Sequence, residues 1–276
     1  MTYQDLFEAI QEKRSYLCVG LDTDLAKLPK HLLKHDNPVL EFNRRIIEAT
    51  APYCVAYKPN TAFYEGMGAA GWDTLRQTLE LIPRSHFSIA DAKRGDIGNT
   101  SKMYAKAFFD DMRADAITVA PYMGADSVMP FFNFKDKWVV LLALTSNSGS
   151  QDFQVLKVDE EEEELLYERV IRTSQEWATA DQLMYVVGAT QTTELENVRR
   201  LAPDHFLLVP GIGAQGGSLE EVSKWGMNRS CGLLVNASRS ILYASDGEDF
   251  AEAAAAEAKR MQEHMSHYLD KYLPQE

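Results

Sequence analysis

Two kinds of segment alternate along the chain. Runs of consecutive apolar residues fall at 16–21, 54–58, 87–90, 116–120, 138–144, 183–188, 206–210 and 231–236. Most are continuous rather than alternating, which predicts parallel strands covered on both faces. The stretches between them have helical spacing. Trp72, Leu75, Leu79 and Ile82 follow an i, i+3, i+7 rhythm, and Met103, Tyr104, Ala107 and Phe108 repeat it after Thr100. Leu219 and Val222 carry a shorter version, and an alanine-rich helix is predicted from about 249 to 268. Before the first strand, Tyr3, Leu6, Phe7 and Ile10 share one helix face, with Thr2 and Asp5 placed as a capping pair. Eight strands alternating with helices predict a closed (β/α)8 TIM barrel, with residues 1–276 forming one domain led by an N-terminal helix. An open doubly wound sheet is the competing arrangement, and the count of eight disfavours it.

Composition changes little in that picture. The 276 residues match the roughly 250 that such a barrel needs. No apolar run approaches the roughly 20 residues of a membrane span. The polar start Met1-Thr-Tyr-Gln-Asp lacks the layout of a signal peptide. A cytoplasmic protein without a membrane partner is expected. The net charge of −13 argues against nucleic acid as a partner, because phosphate backbones are held by clustered cations. Any anion site must therefore be locally basic. Cys18, Cys54 and Cys231 are odd in number and have no Cys-x-x-Cys spacing, so buried thiols are expected rather than disulfides or a metal site. The six consecutive acids at 159–164 read as the solvated first turn of a helix, where negative charge suits the helix dipole.

Barrel enzymes carry their chemistry at the C-terminal ends of the strands. Those ends read Gly20-Leu21-Asp22, Lys58-Pro59-Asn60, Asp91-Ala92-Lys93, Thr145-Ser146-Asn147, Pro210-Gly211-Ile212-Gly213 and Asn236-Ala237-Ser238-Arg239. Asp91 and Lys93 are two apart and would point the same way on an extended strand, with Asp96 beyond the turn at Gly95. Lys58 and Asp22 stand on the two preceding strands. Charges gathered in this way are costly unless they serve a purpose. The glycine-rich 211–218 segment leads into a helix, an arrangement that suits a phosphate, and Arg239 after the last strand offers a fork of donors.

The run Asp91-Ala-Lys93-Arg-Gly-Asp96-Ile97-Gly-Asn-Thr100 resembles the Asp-x-Lys-x-x-Asp signature of orotidine 5′-monophosphate decarboxylases. With Tyr57-Lys58-Pro59-Asn60 and Ala120-Pro-Tyr-Met-Gly124, it is similar to the longer bacterial branch of that family, over about 19–242. The resemblance implies decarboxylation of orotidine 5′-monophosphate to uridine 5′-monophosphate, the last step of de novo UMP synthesis, with no cofactor and no metal. It implies a charged tetrad of Lys58, Asp91, Lys93 and Asp96. Asp96, Ile97 and Thr100 would come from the other subunit of a homodimer with shared active sites. Asp22 and Lys58 would bind ribose hydroxyls. Ser146 would face the pyrimidine, with Asn147 or Ser148 as alternatives, and Pro210 would lie beside it. Gln215 and Arg239 would hold the phosphate. Two other readings stay open: a metal-dependent phosphosugar decarboxylase or lyase on the same barrel, and a non-catalytic nucleotide-binding protein.

Overall fold

The computed structural model describes residues 1–159, 161, 163–189, 192–212 and 217–273. The apolar runs become β1 (Leu17–Leu21), β2 (Ala56–Pro59), β3 (Phe87–Arg94), β4 (Ala116–Val119), β5 (Trp138–Leu144), β6 (Leu183–Val187), β7 (Leu207–Pro210) and β8 (Leu233–Ala237). They pair in sequence order, all parallel, and β8 closes onto β1 with Cys18 opposite Asn236. The fold is thus a (β/α)8 TIM barrel, and the open sheet is excluded. β1, β2, β4, β6 and β8 are buried along their whole length, which is why their sequences are continuously apolar. Each fully buried aliphatic side chain of such a wall contributes roughly 1.5–3 kcal/mol.

The N-terminal helix, Tyr3–Lys13, forms with the Thr2–Asp5 capping box in place. Leu6 and Ile10 are buried, and Tyr3 meets the rings of Trp138 and Phe206. The Met1 ammonium pairs with Asp115, just before β4. These partners lie at the N-terminal ends of strands, so the helix closes the mouth opposite the polar strand ends. Helices at Ala69–Leu81, Gly98–Lys106, Leu219–Gly226 and Phe250–Tyr272 fall where the periodicity places them. Trp72 and Met103 depart from the expected inward face. Met103 is exposed and Trp72 is 37% exposed with its ring against Phe108, while Leu75, Leu79, Ala105 and Phe108 are buried.

The acidic run does not open a helix. The next helix begins at Leu166, after the run, and Lys157 bridges Leu165 in an antiparallel pairing. Glu164 is buried between Arg169 and Arg172, and Lys157 takes Glu163, so local cations, not a helix dipole, absorb the charge. Glu160 and Glu162 lie outside the described residues. All three cysteines are buried free thiols, and burial pushes Cys54 and Cys231 up to about 12, the behaviour of inert packing residues. No helix among the described residues is long and apolar enough to cross a membrane.

Candidate active site

Asp91 is the centre of the polar cluster. It is buried near the C-terminal end of β3, and each of its carboxylate oxygens accepts from a different lysine. Lys58 Nζ, from the end of β2, donates to Oδ2 at 2.6 Å, and Lys93 Nζ donates to Oδ1 at 2.5 Å. Thr118 Oγ1 on β4 adds a third donor to Oδ1 at 3.0 Å. Burial alone would raise the Asp91 pKa, but the adjacent Lys58 and Lys93 ammoniums outweigh it and hold the carboxyl well below its usual range. Burial likewise disfavours the Lys58 ammonium, and the charges of Asp91 and Asp22 reverse that, so Lys58 stays protonated. The two lysines differ in exposure. The Lys58 side chain is 5% exposed and that of Lys93 is 51% exposed, so Lys93 carries its charge to the open side of the cluster.

A cleft of 180 Å³ opens over this cluster, lined by Asp22, Lys58, Asn60, Asp91, Pro210, Gly211, Ile212, Asn236, Ser238, Arg239 and Ser240. Asp22 Oδ1 and Asn236 Oδ1 are buried acceptors with no partner among the described residues. Such atoms are costly unless a donor reaches them. Gly20 makes room here. A Cβ on it would stand 1.9 Å from Ser238 Oγ and 3.1 Å from Asn236 Oδ1. A wider groove of 720 Å³ beside Lys27, His31, Tyr243 and Glu248 gathers no buried charge, so the small cleft is the better candidate.

Of the expected site residues, the structure brings Asp22, Lys58, Asp91, Pro210 and Arg239 into one cleft, and Lys93 joins it through Asp91. Arg239 opens the short helix Arg239–Leu242. Gln215 falls at 213–216, outside the described residues. Asp96, Ile97 and Thr100 do not line the cleft of their own chain. Asp96 Oδ1 accepts instead from the Ile97 backbone N–H at 2.7 Å, and Ile97 and Thr100 are exposed. Ser146 is half-buried after β5 and is not a lining residue. One geometric expectation needs correcting. Lys93 is not extended: its φ is +47°, and its ammonium reaches Asp91 from a left-handed backbone. Sequence reasoning missed Asn60, Asn236 and Ser238 as lining groups, although they stood at strand ends. It also missed Thr118, whose only signal was a hydroxyl inside an apolar run.

The profile of the Orotidine 5'-phosphate decarboxylase / HUMPS family matches residues 15–254. The chain belongs to that family. Among its relatives, the orotidine 5'-phosphate decarboxylase of Phocaeicola vulgatus is 59% identical over 268 residues, spanning 96% of this chain and 98% of that protein. The orotidine 5'-phosphate decarboxylase of Porphyromonas gingivalis is 60% identical over 268 residues, spanning 96% of each. The solved structure of Leishmania donovani OMP decarboxylase superposes with a TM-score of 0.80 at 39% identity, covering 95% of this chain and 99% of that one. The orotidine 5'-phosphate decarboxylase / HUMPS match thus spans all eight strands of the barrel and every residue of the cleft.

Proposed function

We propose that this chain decarboxylates orotidine 5′-monophosphate to uridine 5′-monophosphate, the closing step of de novo pyrimidine synthesis. The observation that carries the reading is the Asp91 carboxylate held between two ammoniums at the C-terminal mouth of the barrel, in a chain 59% identical to a named orotidine 5'-phosphate decarboxylase over 268 residues.

Breaking the C6–carboxylate bond releases carbon dioxide and leaves an electron pair on C6, in the plane of the ring. The ring π system cannot spread that charge, so the protein must meet it with a fixed positive group. Lys93 is the group we assign to this role. Its Nζ donates to Asp91 Oδ1, and the side chain is on the open side of the cluster. After the bond breaks, the same Nζ delivers a proton to C6. Lys58, which lines the cleft, fixes the Asp91 carboxylate and, beside Asp22, faces the ribose hydroxyls. Asp22 and Asn236 present acceptors to the ribose hydroxyls, Pro210 flanks the base, and Arg239 faces the phosphate, with Gln215 as its expected companion. Ser146, half-buried after β5, is the expected pyrimidine-facing residue, with Asn147 or Ser148 as alternatives.

The remaining expected groups fit a homodimer with shared sites. Asp96, Ile97 and Thr100 stand outside their own cleft beside an exposed apolar set of Ile97, Met103, Tyr122 and Met123, with Tyr122 90% exposed. A second copy seated there would carry Asp96 toward the neighbouring Lys93 and complete the tetrad. A cytoplasmic location suits an enzyme supplying nucleotides inside the cell.

The test follows the ultraviolet absorbance of orotidine 5′-monophosphate after addition of chelator-treated protein. Conversion to uridine 5′-monophosphate is expected. Absence of conversion by the folded protein, with activity restored by a divalent metal on a phosphosugar acid, would replace this reading with the metal-dependent lyase.

A further inference from the structure

β3 and β4 lose register beside the site. Ala90 pairs with Ile117 and Arg94 pairs with Val119, so three residues of β3, Asp91 to Lys93, stand opposite the single residue Thr118. Bulges of this kind leave backbone groups without ladder partners and re-aim side chains next to active sites. Here one hydroxyl fills the gap. Thr118 Oγ1 accepts from the Lys93 backbone N–H at 2.8 Å and donates to Asp91 Oδ1 at 3.0 Å. A hydroxyl can do both at once. Thr118 is fully buried, and Lys93 has the left-handed φ of +47° that a non-glycine residue holds only when its surroundings enforce it.

The flank is fixed as well. Arg94 ion-pairs with Glu65, donates to Ala92 O at 2.9 Å, and lies over the rings of Tyr104 and Phe108. The ladder resumes at once, with Ala120 N–H donating to Arg94 O at 2.9 Å. The bulge is therefore pinned at Arg94, and Thr118 alone among the described residues ties its interior to both Asp91 and the Lys93 main chain.

We infer that Thr118 is a positioning residue for the decarboxylation, its hydroxyl setting the Lys93 backbone and the Asp91 carboxylate in mutual register. The inference rests on the decarboxylase reading above. Thr118 lies beneath the cleft and is not among its lining groups, so ground-state binding through Asp22 and Arg239 is independent of it.

The experiment compares wild type, Thr118→Val, Thr118→Ala and Thr118→Ser on orotidine 5′-monophosphate, each checked for folding by circular dichroism. Valine keeps the shape and loses the hydroxyl. The expected result is a kcat about 10- to 100-fold lower for Thr118→Val, of the order that a small misplacement of a catalytic group costs. KM should stay within about twofold, the mark of an interaction felt chiefly in the transition state. Thr118→Ser should recover most of kcat, and Thr118→Ala should follow Thr118→Val, which keeps the comparison alive if one of the two folds poorly. Wild-type kcat in the hydroxyl-less variants would overturn the proposal. So would equal losses in serine and valine, which would assign the effect to packing, or a loss carried by KM. A wild type that does not turn over the nucleotide would instead overturn the decarboxylase reading itself.

Discussion

At Asp91, burial and charge pull in opposite directions, and charge wins because two ammoniums sit on its two oxygens. Its depressed pKa gives the folded state an advantage that is complete above the unfolded value of about 4 and fades as pH falls toward the lower folded value. His205 runs the other way in charge and the same way in pH. Its ring is packed against Tyr185, and neither ring nitrogen has a partner among the described residues. Burial, reinforced by the Arg199 guanidinium, lowers its pKa to about 4. The unfolded chain takes up a proton near pH 6.5 that the folded chain refuses. Stability is therefore full above that value and falls by about 3 kcal/mol on the way down to pH 4, at roughly 1.4 kcal/mol per unit. Urea unfolding of wild type and His205→Phe between pH 7 and 4 should show a shallower decline in the variant, and parallel curves would show that His205 is not the source. Lys58, Asp91 and Lys93 were legible in the sequence because a charged side chain at the end of an apolar run is costly to bury unless a site uses it. Thr118 was not, since threonine is an ordinary strand residue and only the pairing reveals that it stands alone against three residues.

At the scale of elements, continuous apolar runs located every strand because both faces of a closed parallel wall are buried. Boundaries moved by a few residues, most at β3, which extends to Arg94 rather than stopping at Ala90. The polar stretch 91–94 looked like a strand end by its side chains, yet it continues the backbone as a bulge, and hydrophobic patterning carries no information about that. Trp72 and Met103 matched the helical period but face outward. Apolar residues on two faces of a helix leave periodicity unable to tell which face meets the barrel. The acidic run misled for a related reason. Composition suggested a helix start, whereas the buried pairing of Glu164 with Arg169 and Arg172 depends on how the loop folds back.

For the whole molecule, the net charge of −13 sits on a barrel whose candidate site sets Lys58, Lys93 and Arg239 against Asp22 and Asp91 at one mouth, so Arg239 is the cation of that set left to meet a phosphate-bearing anion. If two copies share sites across the face bearing Ile97 and Tyr122, inactive variants should rescue one another. Mixing Lys93→Ala with Asp96→Asn and allowing subunit exchange should restore roughly a quarter of wild-type activity, since half of the dimers are hybrids and each has one intact site. No recovery after demonstrated exchange would place Asp96 in its own chain's site, and an active Asp96→Asn alone would place it outside catalysis. The proposed role of the Lys93 ammonium in decarboxylation is tested most directly by the kcat of chelator-treated Lys93→Ala on orotidine 5′-monophosphate beside wild type. Background turnover is expected from a folded variant that still binds uridine 5′-monophosphate. A folded variant retaining more than a few per cent of wild-type kcat would contradict it.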